Sequence, residues 1–173
     1  MGTHHSPAAR ENAPSDRVLE NLRVQAKLAA AWTSFMFLYV YVDILAFYKP
    51  GVVDDILVGV VWKFDITQTW ATTALVLLAI PIFMVVLSMS LPARPSRIAN
   101  LVAASVQVPF AAFNAVGQLG ESWMYFYVVG VALELSVLAF ILRSAWSWPR
   151  RAASLTTMAA SLDSEPLHTA QQA

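Results

Sequence analysis

Trp70–Leu91, WATTALVLLAIPIFMVVLSMSL, decides how this chain is read: 22 consecutive residues carry no charged side chain. A helix rises ~1.5 Å per residue, so a run of that length reaches across the ~30 Å hydrocarbon core of a bilayer. The pattern recurs on both sides. Leu28–Tyr48 has 21 residues and one charge, Asp43; Ile98–Leu119 has 22 and none; Trp123–Leu142 has 20 and one, Glu134. Soluble helices show a polar face on every turn, and these runs mostly do not. The expected fold class is all-α, an integral membrane four-helix bundle.

Composition agrees. Of 173 residues 58% are hydrophobic and 13% charged, with mean hydropathy +0.58. Soluble domains carry roughly 25% charged residues. A formal net charge of zero argues against a nucleic-acid partner, since no basic surplus is available to neutralise phosphates. The absence of cysteine excludes disulfides, Cys-zinc sites, iron–sulfur ligation and dithiol redox chemistry.

Lys and Arg orient the spans. Arg10, Arg17, Arg23 and Lys27 precede the first; Arg94 and Arg97 join the second and third; Arg143, Arg150 and Arg151 follow the fourth. The opposite connections hold only Lys49 and Lys63, beside Asp54, Asp55, Asp65 and Glu121. Nine basic residues against two is a positive-inside pattern that puts both termini in the cytoplasm of a cell with an inner membrane. Tyr48, Trp70, Trp123, Tyr125, Trp146 and Trp148 fall at the expected interfaces.

The first span is longer than a ~7–15-residue signal-peptide core and leads into Tyr48-Lys49-Pro50 instead of a small-residue cleavage site. Residues 1–14 read as a disordered cytoplasmic tail, 15–149 as the four-span domain with Ser15 as its first N-cap, and 150–173 as a second flexible tail. Pro92–Arg97 and Gly120–Ser122 are short enough to force antiparallel hairpins. The connection between spans one and two is longer. Val52/Val53, Ile56/Leu57, Val60/Val61 and Phe64 recur every four residues there, which predicts a short helix lying on the outer membrane surface, with a loop strand as the alternative.

Ionisable groups inside a bilayer are costly, so each needs a reason. Glu134 falls near the middle of span four and needs either a proton or a polar partner. Asp43 sits toward the outer end of span one, on a stripe with Trp32, Met36 and Tyr39. Span three offers partners: Asn100, Gln107 and Asn114 are spaced by seven, Gln118 follows, and Ala104 and Ala111 fill the turns between. Counting depth along the spans predicts a polar seam in two layers, Glu134–Gln107 at the midplane and Asp43–Asn114 nearer the outside, with Tyr39 beside it. Buried amides also serve simply as adhesion between helices, at ~0.6 kcal/mol per bond. Pro81 and Pro109 interrupt helix hydrogen bonding and predict kinks, and Met36, Met84, Met89 and Met124 read as packing.

His4, His5 and His168 all lie in the tails, so no span offers imidazole to a haem, a serine protease centre or an HExxH metal site. Two carboxyls at different depths, with neither His nor Cys, give little for catalysis. No cofactor and no metal site is expected.

Trp32, Phe35-Met36-Phe37-Leu38-Tyr39, Asp43-Ile44-Leu45, Pro50-Gly51 and Ile66-Thr67-Gln68 recur in order with Ile80-Pro81, Met84, Ser88, the Arg97/Asn100 pair and Trp146-Ser147-Trp148-Pro149. In that order and spacing, over about residues 28 to 149, the chain resembles a bacterial membrane protein family catalogued as domain of unknown function 6326. The resemblance implies a four-span bundle and no particular activity. Where family members tend to have Glu just before the Ile-Pro of span two, this chain has Ala79, which weakens any shared proton relay.

The leading functional expectation is a non-enzymatic membrane component, an accessory subunit or homo-oligomer whose partners are the bilayer and another membrane subunit or a second copy. The alternatives are a proton-linked small-solute transporter or channel component using Glu134, and a redox-associated accessory subunit of the DoxX-like type, the latter argued from size and architecture alone.

Overall fold

The computed structural model describes residues 8–116, 120 and 122–148. Residues 1–7 of the first expected tail, the whole of the second (150–173), Gln118 and Glu121 lie outside them. The first helix, α1 (Ala8–Ala46), runs 39 residues and begins ahead of the Ser15 cap expected from sequence. Ala8, Ala9, Arg10 and Glu11 are good helix formers, enough to carry the helix further back.

Beyond Ala46 the chain turns through Gly51, whose φ of +87° a side chain with a Cβ rarely adopts. There α2 (Val52–Leu57) begins, with Asp54 and Asp55 in its first turn, where the helix dipole favours negative charge. The expected surface helix stops at Leu57, and its second half is a two-stranded hairpin. Strands β1 (Val60–Val61) and β2 (Phe64–Asp65) pair antiparallel, Val60 with Asp65 and Val61 with Phe64. Gly59 at φ +86° ends the helical run, and Val58, Val60 and Val61 are stiff β-branched residues that favour extended backbone. Trp62 at the hairpin tip takes a left-handed φ of 55°, strained for a residue of its size. A tilted contact of its ring with Phe64 at 5.6 Å and an edge contact with Phe113 at 6.4 Å accompany it.

Thr67 caps α3 (Gln68–Ser90), its hydroxyl accepting from the Trp70 amide at 3.1 Å. The helix continues through Pro81. It ends because Leu91 precedes Pro92, which drives Leu91 to extended backbone (ψ 147°). After that tight turn α4 (Ala93–Val116) starts, and it too runs through a proline, Pro109. The last helix, α5 (Met124–Trp146), ends at Ser147.

The four long helices form a ring. α1 packs on α3 and α5, α4 packs on the same two, and α1 and α4 touch little across the diagonal. Inside lie Leu28, Trp32, Phe35, Met84, Ala104, Leu138 and Ile141. Outside, large apolar side chains are bare: Phe37 and Tyr41 on α1, Leu75 and Phe83 on α3, Ile98 and Val102 on α4, Val129 and Leu133 on α5. Three helices among the described residues are long and apolar enough to cross a membrane, within Arg17–Ala46, Gln68–Ser90 and Met124–Trp146. α4 is not among them; it carries Arg94, Ser96, Arg97, Asn100, Gln107 and Asn114.

Candidate functional site

The polar side chains of the four helices meet inside the ring and form two clusters. The first lies near the α3–α4 turn and centres on Asn100, which is fully buried. Its Oδ1 accepts from Trp32 Nε1 at 2.7 Å and from Ser88 Oγ at 3.1 Å. Its Nδ2 donates to the Ser96 carbonyl at 2.8 Å and reaches Ser96 Oγ at 3.5 Å. Ser96 Oγ donates in turn to the Ser88 carbonyl at 3.2 Å. One amide thus ties α1, α3 and α4 together.

Around this hub the helix ends are held to one another. Gln25 on α1 donates to the Leu91 carbonyl at the end of α3, 2.8 Å. Trp148 just beyond α5 donates to Asn21 Oδ1 on α1, 2.9 Å. Arg97 on α4 donates from Nε to the Ala145 carbonyl at 2.9 Å and from Nη2 to the Trp146 carbonyl at 3.3 Å. A cation over the last carbonyls of α5 satisfies acceptors that a helix end leaves open and offsets its partial negative charge.

The second cluster lies deeper and toward the hairpin end. Gln107 is 2% exposed and donates to the Leu77 carbonyl of α3 at 3.5 Å. Asn114 donates to the Tyr39 hydroxyl, also at 3.5 Å. The Tyr39 ring stacks on Phe110 at 6.2 Å and contacts Phe35 at 6.0 Å. Glu134, 2% exposed, places Oε2 where it accepts no hydrogen bond, the one such buried side-chain atom among the described residues. α5 approaches α1 closely just outward of it: a Cβ on Gly130 would sit 3.0 Å from Val42 Cγ2. Asp43 is exposed on α1, near enough to Glu134, Tyr39 and Tyr127 to bear on them electrostatically.

All six expected seam residues lie on α1, α4 and α5, but the expected pairs do not form. Gln107 turns to a backbone carbonyl of α3 and leaves Glu134 unpaired. Asn114 bonds Tyr39, not Asp43, which lies one turn further along the same face of α1 and is more exposed. Depth along a helix is legible from counting residues; the direction in which a side chain leaves its neighbour's axis is not. Sequence reasoning missed Asn21 and Gln25 altogether, although their i, i+4 spacing ahead of Leu28 and Trp32 puts one polar stripe on the face that the span buries. Trp32, Ser88, Arg97 and Trp148 were singled out as resemblance positions; their roles as donors and clamps come from the packing. Among the described residues no group of three or more His, Cys, Asp or Glu could hold a metal ion.

The family described as Family of unknown function (DUF6326) matches residues 19–154. No curated protein and no solved structure matches the chain. The match covers all four long helices of the ring apart from the start of α1.

Proposed function

We propose, from the premise that the chain belongs to DUF6326, a family of unknown function, that it is a four-span integral membrane protein of an inner membrane, both termini cytoplasmic, acting as a non-enzymatic accessory or oligomeric component. The observation that carries this reading is the apolar outer surface of the ring, with amides and a carboxyl gathered inside among its apolar core. Amides and a carboxyl occupy the inside of the ring, while Phe, Leu, Ile and Val side chains stand bare outside. In water the bare apolar exterior is unfavourable; in acyl chains it is favourable, and the amides turn inward because lipid offers them no hydrogen bond.

α4 is the fourth span in this reading. Its 24 residues reach ~36 Å at ~1.5 Å per residue. Asn100 and Gln107 point inward, and Ile98, Val102, Val106, Phe113 and Val116 point outward. An average over the whole helix counts the hidden amides against it, whereas lipid meets only the outward face. The arrangement also favours adhesion as the work of the polar residues, since most of their hydrogen bonds join one helix to another.

The absence of cysteine makes the orientation directly testable. Asp54→Cys should react with an impermeant maleimide in intact spheroplasts, and Arg94→Cys only after permeabilisation. Solubility and monodispersity without detergent would overturn the membrane reading; reversed labelling would overturn the orientation.

A second reading is favoured by Glu134 alone. An unpaired carboxyl inside the ring is a poor adhesive, and such groups serve proton-linked transport. Here Glu134 would bind and release the proton, with Gln107 and Asn114 lining the path. Proteoliposomes carrying the parent and Glu134→Gln should then differ in pH-driven flux; equal flux at the level of empty vesicles removes this alternative.

A further inference from the structure

A groove runs between α4 and α5 at the end of the ring near the α3–α4 turn, lined by Leu101, Leu142, Arg143, Trp146 and Ser147. Its chemistry changes with depth. Leu101 lies one turn deeper than Arg97 on α4, and Leu142 one turn deeper than Trp146 on α5, so the floor is aliphatic and the rim is cationic and aromatic. Arg143 is exposed at that rim, and Trp146 is 66% exposed. Ile98 and Val102 on α4 and Phe140 on α5 are bare as well.

We propose that this groove binds an anionic phospholipid, with its phosphodiester on Arg143 and an acyl chain along Leu101 and Leu142. The proposal rests on the membrane reading above, which puts the rim at the headgroup level. Charge complementarity selects an anion. α4 contains no acidic residue, and the one on α5, Glu134, lies nine residues further along the helix from Arg143, ~13 Å at ~1.5 Å per residue.

The carbonyl end of α5 would ordinarily repel a phosphate, but Arg97 already covers the Ala145 and Trp146 carbonyls. That contact occupies Arg97 Nε and Nη2 on the helix end, beside the groove and outside its lining. Ser147 cannot help as a donor. Its hydroxyl proton is committed to the Arg143 carbonyl at 2.8 Å, so the Arg143 guanidinium must supply recognition. The aliphatic floor then separates a lipid from a soluble phosphate, which has nothing to lay against Leu101 and Leu142. Basic rims between membrane helices on the cytoplasmic side recognise lipid headgroups in this way.

The test uses the full chain in neutral detergent, titrated with phosphatidylglycerol or with phosphatidylcholine of the same acyl chains, and read by native mass spectrometry and thermal melting. Phosphatidylglycerol should bind preferentially and raise the melting temperature of the parent. Arg143→Gln should weaken that binding roughly fivefold, and Arg143→Lys should retain most of it. Soluble glycerol phosphate should not compete. Equal binding of the two lipids, or an undiminished preference in Arg143→Gln, would overturn the proposal and leave the groove to a protein contact. Competition by glycerol phosphate would overturn the acyl-chain part. The cysteine labelling above reports orientation separately, so failure of the lipid site and failure of the orientation give different results.

Discussion

At the α3–α4 turn the buried polar atoms are closely matched; toward the hairpin they are not. Asn100, Gln25, Trp148 and Arg97 make their shortest bonds at 2.7 to 2.9 Å. Gln107 and Asn114 reach their partners at 3.5 Å, and Glu134 Oε2 has none. The close approach of the first set is where a hydrogen bond is strongest, and 3.5 Å is near its limit. One molecule thus contains a clamp and a loosely satisfied region about two turns away. Satisfied networks fix an arrangement of helices; unsatisfied polar groups cost stability and persist where something other than stability retains them.

The largest effect should come from removing the hub. Asn100→Ala strands Trp32 Nε1 and the Ser88 hydroxyl inside the ring, and should cost about 2–3 kcal/mol of unfolding free energy in mixed micelles. A loss below ~0.5 kcal/mol would mean that the clamp is not what holds this end together. Glu134→Met should act in the opposite direction, raising stability by about 1 kcal/mol or more, because an apolar side chain removes an unmet acceptor. Destabilisation by this substitution would show that the carboxyl is well accommodated, and the contrast between the two regions would collapse.

Trp148→Phe deletes the donor to Asn21 together with part of a buried ring, for a loss of about 1–2 kcal/mol. A double-mutant cycle with Asn21→Ala measures that bond directly, and additivity of the two substitutions would dissolve it. Asn114→Ala should be the mildest, at ~0.5 kcal/mol or less, in keeping with its 3.5 Å contact. If it costs as much as Asn100→Ala, the two regions do not differ in kind.

The places of these residues were differently legible. Trp70–Leu91 announces a helix of spanning length by itself, and Asn100, Gln107 and Asn114 announce one polar stripe by their spacing of seven. Periodicity within a helix is a local property, set by 3.6 residues per turn. The hairpin at Val60–Asp65 escaped the same reasoning because a four-residue apolar recurrence is compatible with a helix until Gly59 and the β-branched valines break it. Pairing escaped for another reason. Whether Asn114 meets Asp43 or Tyr39, one turn apart on one face of α1, depends on how far the two helices are offset along each other, and no spacing along either one records it.

Residue order alone therefore determined the helical class, the lengths of the long apolar segments, the antiparallel turn at Pro92 and the face on which α4 keeps its amides, since each follows from neighbours in the chain. Only the tertiary structure decided that α1 lies between α3 and α5, that Trp32 and Ser88 converge on Asn100, that Arg97 covers the end of α5 and that Glu134 is left alone. Those are contacts between segments up to 127 residues apart, chosen by how whole helix surfaces interlock, and a polar group inside the ring is satisfied or stranded by that choice.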